Sequence, residues 1–328
     1  MKKITIDELK ERMNQSGANG TPFLFIVDFE LSGGFFLENP TRQQEVLFQC
    51  TKEGNASSDG SCSHRTEEVG LIINPISFEA YKQKFDVVME GLQQGNSFLA
   101  NLTIQTPIEV SLTLPEIFFR SKSPYRLYVP GQFVCFSPER FVKIANGRIS
   151  TNPMKGTISA EVENAEETIL ADTKETAEHY TIVDLLRNDL GMVASDICVE
   201  RFRYIDRIRT SRQDILQVSS EVAGNLASDY PAHLGDIIFR MLPAGSISGA
   251  PKRSTTDILR HAESKPRGFY TGVFGYFDGK ELDSAVLIRY IEEVEGQKYF
   301  RSGGGITINS DPNKEYEEVL EKIYLPFV

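Results

Sequence analysis

Apolar residues in this chain fall mostly in short runs, broken by a few longer stretches of helical period. FLFIVDF (23–29), apolar except for Asp28, has the pattern of a buried strand, and the polar stretch 51–68, TKEGNASSDGSCSHRTEE, predicts a long exposed loop or hairpin tip. GLIINPI (70–76) returns to strand character. From 77 to 94, Phe78, Tyr81, Phe85, Val88, Met89 and Leu92 fall at spacings of three and four before Gly95, which predicts an amphipathic helix with a glycine stop. LANLTIQTPIEV (99–110) alternates as a strand and PEIFFRSKS starts a short helix. RLYVP, QFVCF and RFVKIANGRIS then read as successive strands with a turn at Asn146–Gly147.

Beyond them, ISTNPMKGT (149–157) reads as a strand end running into a proline-containing loop. A helix is expected from about Ala165 to Leu190, with Ile182, Val183, Leu186 and Leu190 on one stripe and Gly191 to end it. RFRYID and ILQVSSEVAG are β in pattern, and a helix near 232–241 begins after Pro231. GVFGYFDGKELDSAVLIRYIEEV holds a hairpin with Asp278–Gly279 as its turn, and YFRSGGGITINSD follows. Asp311 and Pro312 are an N-cap and first-turn pair for the last helix. Strands joined mainly by hairpins and interrupted by long helices predict an α+β fold with antiparallel sheets.

Composition changes this picture little. The chain has 328 residues, 40% hydrophobic and 25% charged, enough for a large core. With 46 acidic against 35 basic residues the net charge is −11, which argues against a non-specific nucleic-acid or anionic-membrane surface. Any anion site must therefore be built locally from a few Arg or Lys side chains and backbone N–H groups. Cys50, Cys62, Cys135 and Cys198 show no CxxC spacing, the start MKKITIDELKERMNQ lacks the apolar core of a signal peptide, and no apolar run reaches membrane-spanning length. The expectation is a reduced, soluble, cytoplasmic protein.

Two constellations carry candidate chemistry. Glu175 and Glu178 lie three apart on one helix, and Glu315 and Glu318 repeat the spacing on the last helix. Such a set can hold a hard cation such as Mg²⁺ or simply form two solvated acidic faces. The second constellation is glycine, in MLPAGSISGAPKRST (241–255) and RSGGGITI (301–308). Neither fits a phosphate loop or a dinucleotide fingerprint, which leaves tight turns or close backbone approach to a ligand carboxylate. His64, His179, His233 and His261 are scattered, without a hydrolytic signature; His179 is either a packed helix histidine or a neighbour of a metal ligand.

Taken in order, QQGNSFLANLT (93–103), SPERF (137–141), NPMKGT (152–157), AEHYTIVDLLRNDLG (177–191), PAGSISGAPK (243–252), RGFYTGVFGYFD (267–278), LDSAVLIR (282–289) and GGGITINSDPNKEYEEVLEK (303–322) resemble the motif set of the chorismate-utilising enzymes. The resemblance implies a single chorismate-binding domain over 1–328, a four-layer α/β/β/α sandwich in which 1–76 supplies shortened N-terminal strands and 77–328 bears the motifs. It implies Mg²⁺ held by Glu178 and Glu318, with Glu175 and Glu315 as neighbours. Tyr270, Arg289, Gly156, Thr157, Gly303, Gly304 and Gly305 match positions that hold the carboxylates of chorismate, and Lys322 fits a supporting basic role.

Within the family Lys155 discriminates. Anthranilate synthases resemble PIAGT here and aminodeoxychorismate synthases PIKGT, and this chain has PMKGT. The resemblance therefore implies that Lys155 attacks ring carbon 2 as the carbon-4 hydroxyl leaves, with Glu139 as general acid or base. The product would be 4-amino-4-deoxychorismate, with ammonia from a separate glutamine amidotransferase subunit. Met154 replaces the usual isoleucine, and Gln217 stands where many members carry histidine, which argues against an aromatising lyase step. VDFELSGGF (27–35) is all that hints at the segment carrying a tryptophan pocket in relatives. Anthranilate or isochorismate synthesis on the same scaffold, or a non-catalytic chorismate-binding subunit, are the alternatives.

Overall fold

Phe23–Val27 is buried at every position, and its alternating side chains serve two different layers. Phe23, Phe25 and Val27 face helices, whereas Leu24 and Ile26 face a second sheet. The computed structural model describes residues 1–56, 69–208 and 214–327. Among them the strands form two antiparallel sheets. The first runs Met154–Ser159, Ile215–Asn225, Arg148–Thr151, Arg140–Ala145, Leu282–Val286, Val273–Phe277, Phe23–Val27, Gly34–Glu38, with Ser195–Ile208 also on Ile215–Asn225. The second runs Gly249–Ala250, Leu99–Glu109, Gln297–Ile306, Tyr290–Val294, Phe133–Ser137, Tyr125–Val129, Leu47–Cys50, Glu53–Gly54, with Ile72–Ile73 on Leu99–Glu109.

Helices cover both outer faces. Leu9 and Met13 of Ile6–Asn19, Val183 and Leu190 of Thr173–Gly191, and Leu234 and Ile238 of Leu234–Met241 pack on the first sheet. Tyr81 and Phe85 of Phe78–Gln93, Leu259 of Lys252–Glu263 and Val319 of Pro312–Glu321 pack on Leu102, Ile104 and Ile306 of the second. Phe48, Leu127, Phe133 and Phe274 fill the space between the sheets. The expected α+β sandwich of four layers is what forms, and each fully buried aromatic contributes about 3 kcal/mol.

Local departures have local causes. The helix expected from Ala165 to Leu190 is two helices, Ala165–Ala171 and Thr173–Gly191, because Asp172 takes an extended conformation and its Oδ1 accepts from Glu175 N at 2.9 Å. GLIINPI pairs only at Ile72–Ile73, and most of the expected loop 51–68, with Cys62 and His64, lies outside the described residues. Helices Ile6–Asn19 and Lys252–Glu263 were not anticipated, although Thr5 with Glu8, and Gly20 in the left-handed conformation, are ordinary start and stop signals. The NPMKGT segment is not a loop: Met154–Ser159 is a strand of the first sheet.

Candidate active site

Two of the connections that carry the chain between the sheets each hold a predicted site residue. Glu139 lies between Phe133–Ser137 of the second sheet and Arg140–Ala145 of the first; Arg289 lies between Leu282–Val286 of the first and Tyr290–Val294 of the second. The crossovers are bonded together, since Phe136 N donates to Arg289 O at 3.0 Å and Val286 N to Glu139 O at 3.2 Å. This fixes the backbones of Glu139 and Arg289 in neighbouring connections, close enough for the Arg289 charge to act on the Glu139 carboxyl. Burial pushes the Glu139 carboxyl up, opposed by a hydrogen bond from Ser246 and then by the charges of Lys155, Arg289 and Lys322. Ser246 Oγ donates to Glu139 Oε1 at 2.6 Å. Sequence reasoning weighed the glycines around Ser246 and missed the hydroxyl between them, whose signal is only that it is a donor inside a glycine-rich motif.

Lys155 is aimed by a β-bulge. Met154 pairs with Ser219 and Thr157 with Gln217, so three steps on one strand face two on the other, and the extra residue falls at Lys155–Gly156. Gly156 accommodates the kink at φ +82°. Upstream, Arg140 Nη1 donates to Asn152 Oδ1 at 2.8 Å and Ser220 N to Pro153 O at 3.0 Å, so the approach to the bulge is held on both sides. Lys155 Nζ consequently stands 3.5 Å from Glu178 Oε2. Thr157 is exposed, with Gln217 as its cross-strand partner.

The three glycines lie inside Gln297–Ile306, fully paired with Leu99–Glu109. A Cβ on Gly304 would sit 3.4 Å from Glu315 Oε2 and 3.9 Å from Glu318 Oε1, and one on Gly305 would sit 3.7 Å from Lys155 Nζ and 3.3 Å from Leu99 Cδ1. Gly303 has another role: its Cβ would meet Leu102 O at 2.8 Å, a backbone contact. Lys322 Nζ donates to Gly303 O at 2.9 Å and to Glu318 Oε1 at 2.6 Å. Burial lowers the Lys322 ammonium, the neighbouring Glu318 opposes this, and Arg289 and Lys155 lower it further. Tyr270 is 3% exposed, and burial raises its hydroxyl to about 12 against the charges of Arg267, Arg289 and Arg301.

Glu175 and Glu178 enter from one helix layer and Glu315 and Glu318 from the other. A Cβ on Gly156 would lie 3.3 Å from Glu175 Oε2, so the two acidic faces meet across the Lys155 bulge and the glycine strand. Glu315, whose spacing fits either a cation site or a solvated acidic face, is only 4% exposed. Among the described residues no group of three acidic, His or Cys side chains is arranged to hold a metal unaided. His179 is a packed histidine: it is 1% exposed, its Nε2 lies 2.7 Å from Ser220 Oγ, and burial first, then Arg203 and Lys155, lower it to about 4.

The chorismate binding enzyme family model matches residues 30–326. The chain is 49% identical to an "Uncharacterized PabA-like protein" of Haemophilus influenzae, over 99% of this chain and 98% of that one. It is 33% identical to aminodeoxychorismate synthase component 1 of Bacillus subtilis, over 79% of this chain and 57% of that protein. The crystal structure of anthranilate synthase component I from Streptococcus pneumoniae shares the fold, with a TM-score of 0.71 at 22% identity over 92% of this chain and 79% of that one. With its sandwich fold and a family match spanning most of its length, the chain belongs to the chorismate-binding enzymes.

Proposed function

We propose that this enzyme aminates chorismate to 4-amino-4-deoxychorismate, and the observation that supports this reading best is the bulge that turns the Lys155 amine into the site. The 33% identity to an aminodeoxychorismate synthase component supports it as well. The Lys155 amine bonds to ring carbon 2, the ring double bond shifts, and the carbon-4 hydroxyl leaves as water with a proton from Glu139. Ammonia then bonds to carbon 4, the double bond shifts back, the bond from carbon 2 to Lys155 breaks, and the new ammonium at carbon 4 returns a proton to Glu139. The net change is chorismate plus ammonia to aminodeoxychorismate plus water, with lysine regenerated. The raised proton affinity of Glu139 suits a group that must hold a proton before donating it.

Arg289, Tyr270 and Lys322 would receive the substrate carboxylates, with Gly304 and Gly305 leaving the room they need. Mg²⁺ fits the donor set. Glu178 stands 3.5 Å from Lys155 Nζ and Glu318 2.6 Å from Lys322 Nζ, and Glu315 and Glu318 both face the position a Cβ on Gly304 would take, so carboxylates from both helices border the site, and the substrate brings further oxygens. Magnesium is commonly held by one or two carboxylates plus substrate oxygens and water, so a complete cage of protein ligands is not required. When bound by Glu178 and Glu318 it would neutralise charge at a substrate carboxylate. We assign ammonia supply to a separate glutamine amidotransferase subunit.

The test is incubation with chorismate, Mg²⁺ and ammonium, scored for 4-aminobenzoate after addition of the corresponding lyase and for anthranilate fluorescence directly. Lyase-dependent 4-aminobenzoate supports the proposal. Anthranilate without lyase, or an unaltered rate for Lys155→Ala, rejects it.

A further inference from the structure

The end of the chain folds back onto the site. Ser121 and Phe327 form an antiparallel bridge and Lys122 N donates to Pro326 O at 3.0 Å, while Ile323, Leu325 and Phe327 pack against the cluster containing Leu114, Ile117 and Phe118. Anchored on both sides, Tyr324 meets Arg289: Arg289 Nε donates to the Tyr324 hydroxyl at 3.3 Å, and the guanidinium carbon lies 5.3 Å from the ring centroid.

Arg289 has need of such a hold. Its backbone is in the left-handed region at φ +52°, and its charge reaches Glu139, Tyr270 and Lys322. A long side chain placed there would otherwise spend its rotamer freedom on binding, whereas one already fixed through Nε keeps its terminal N–H groups for a forked contact with a carboxylate. Tyr324 supplies a hydrogen bond and a ring face together, from a segment held by contacts of its own.

We infer that Tyr324 is a positioning residue that presets the Arg289 guanidinium for a substrate carboxylate, so that the C-terminal strap tunes substrate affinity; this rests on the reading of Arg289 as a carboxylate-binding group. The experiment measures chorismate binding by calorimetry with Mg²⁺ present, together with kcat and KM, for Tyr324→Phe, Tyr324→Ala, Arg289→Ala and the Tyr324→Phe/Arg289→Ala pair. Tyr324→Phe is expected to raise Kd and KM about fivefold and Tyr324→Ala about tenfold, with kcat at saturation changed by less than about twofold. Arg289→Ala should weaken binding about 100-fold, and the double variant should be no weaker than Arg289→Ala alone. Tyr324→Phe keeps the ring, so it separates the hydroxyl from the packing of the strap. Loss of binding in Arg289→Ala with wild-type binding in both Tyr324 variants overturns the inference and leaves the role of Arg289 intact; so does full additivity in the double variant. Unchanged binding in Arg289→Ala rejects the role of Arg289 itself, and the inference with it.

Discussion

Ser246 Oγ stands 2.6 Å from Glu139 Oε1, at the seam where the chain passes from one sheet to the other. A hydroxyl donating to a carboxylate favours its charged form, so Ser246 works against the burial that raises the affinity of Glu139 for its proton. Ser246→Ala removes that restraint. The pH-rate limb belonging to Glu139 should move to higher pH in the variant, and Glu139→Gln should abolish that limb and lower kcat about 10²- to 10⁴-fold. Rates measured from pH 5 to 9 check both; a limb that moves to lower pH refutes the assignment.

Lys155 and Glu178 test the metal and the nucleophile separately. Lys155→Ala should lose amination with ammonium while still binding Mg²⁺ and chorismate, because its amine stands beside the Glu178 carboxylate and is not itself a hard-metal ligand. Glu178→Gln should weaken Mg²⁺ binding at least about tenfold by calorimetry, and chelation with EDTA should stop turnover reversibly. Mg²⁺ affinity that is indifferent to both Glu178→Gln and Glu318→Gln would remove these residues from the metal site.

Much of this arrangement is readable from the chain, though unevenly. Apolar alternation gives strands such as 23–27 and 99–109, and helical spacing gives 78–93, because those elements bury a face of matching period. The split at Asp172 was hidden because no glycine or proline marks it and the apolar stripe, Ile182 to Leu190, lies wholly beyond it, and the short pairing at Ile72–Ile73 was hidden because a two-residue edge strand has no period. The motifs named Lys155, Glu139 and Arg289, but not what aims them. A one-residue register slip, two joined crossovers and the Ser246 hydroxyl are long-range consequences of pairing, which local pattern does not encode. The burial of Glu315 likewise depends on the glycine strand opposite it.

Neighbouring glycines should respond differently to alanine. At Gly303 the added Cβ meets the Leu102 carbonyl at 2.8 Å, and backbone cannot yield cheaply, so Gly303→Ala should cost about 1–3 kcal/mol in urea unfolding. At Gly305 the neighbours are side-chain ends, Leu99 Cδ1 at 3.3 Å and Lys155 Nζ at 3.7 Å. Gly305→Ala should leave stability within about 1 kcal/mol yet lower kcat at least about tenfold by crowding the lysine. Equal effects of the two substitutions on stability and on rate would contradict this division.

The remaining prediction concerns what holds the acidic helix against the Ser246 segment. Lys252 Nζ lies 2.7 Å from Asp189 Oδ1 and donates to Met241 O at 2.6 Å, joining Thr173–Gly191 to the start of Lys252–Glu263. Burial raises the Asp189 carboxyl and lowers the Lys252 ammonium, and each charge opposes the shift of the other. Lys252→Met strands a buried carboxylate and should cost about 3 kcal/mol near neutral pH. A carboxyl whose folded proton affinity exceeds its unfolded value favours the folded state at low pH and loses that contribution as pH rises. Without the lysine that affinity rises further, so the deficit of Lys252→Met should shrink as pH is lowered into the carboxyl range, and Asp189→Asn in the Lys252→Met background should recover much of it at neutral pH. Urea midpoints for the single and double variants across pH 4 to 8 measure both effects, and a deficit that stays constant with pH would show that Lys252 acts through packing instead of through the charge of Asp189.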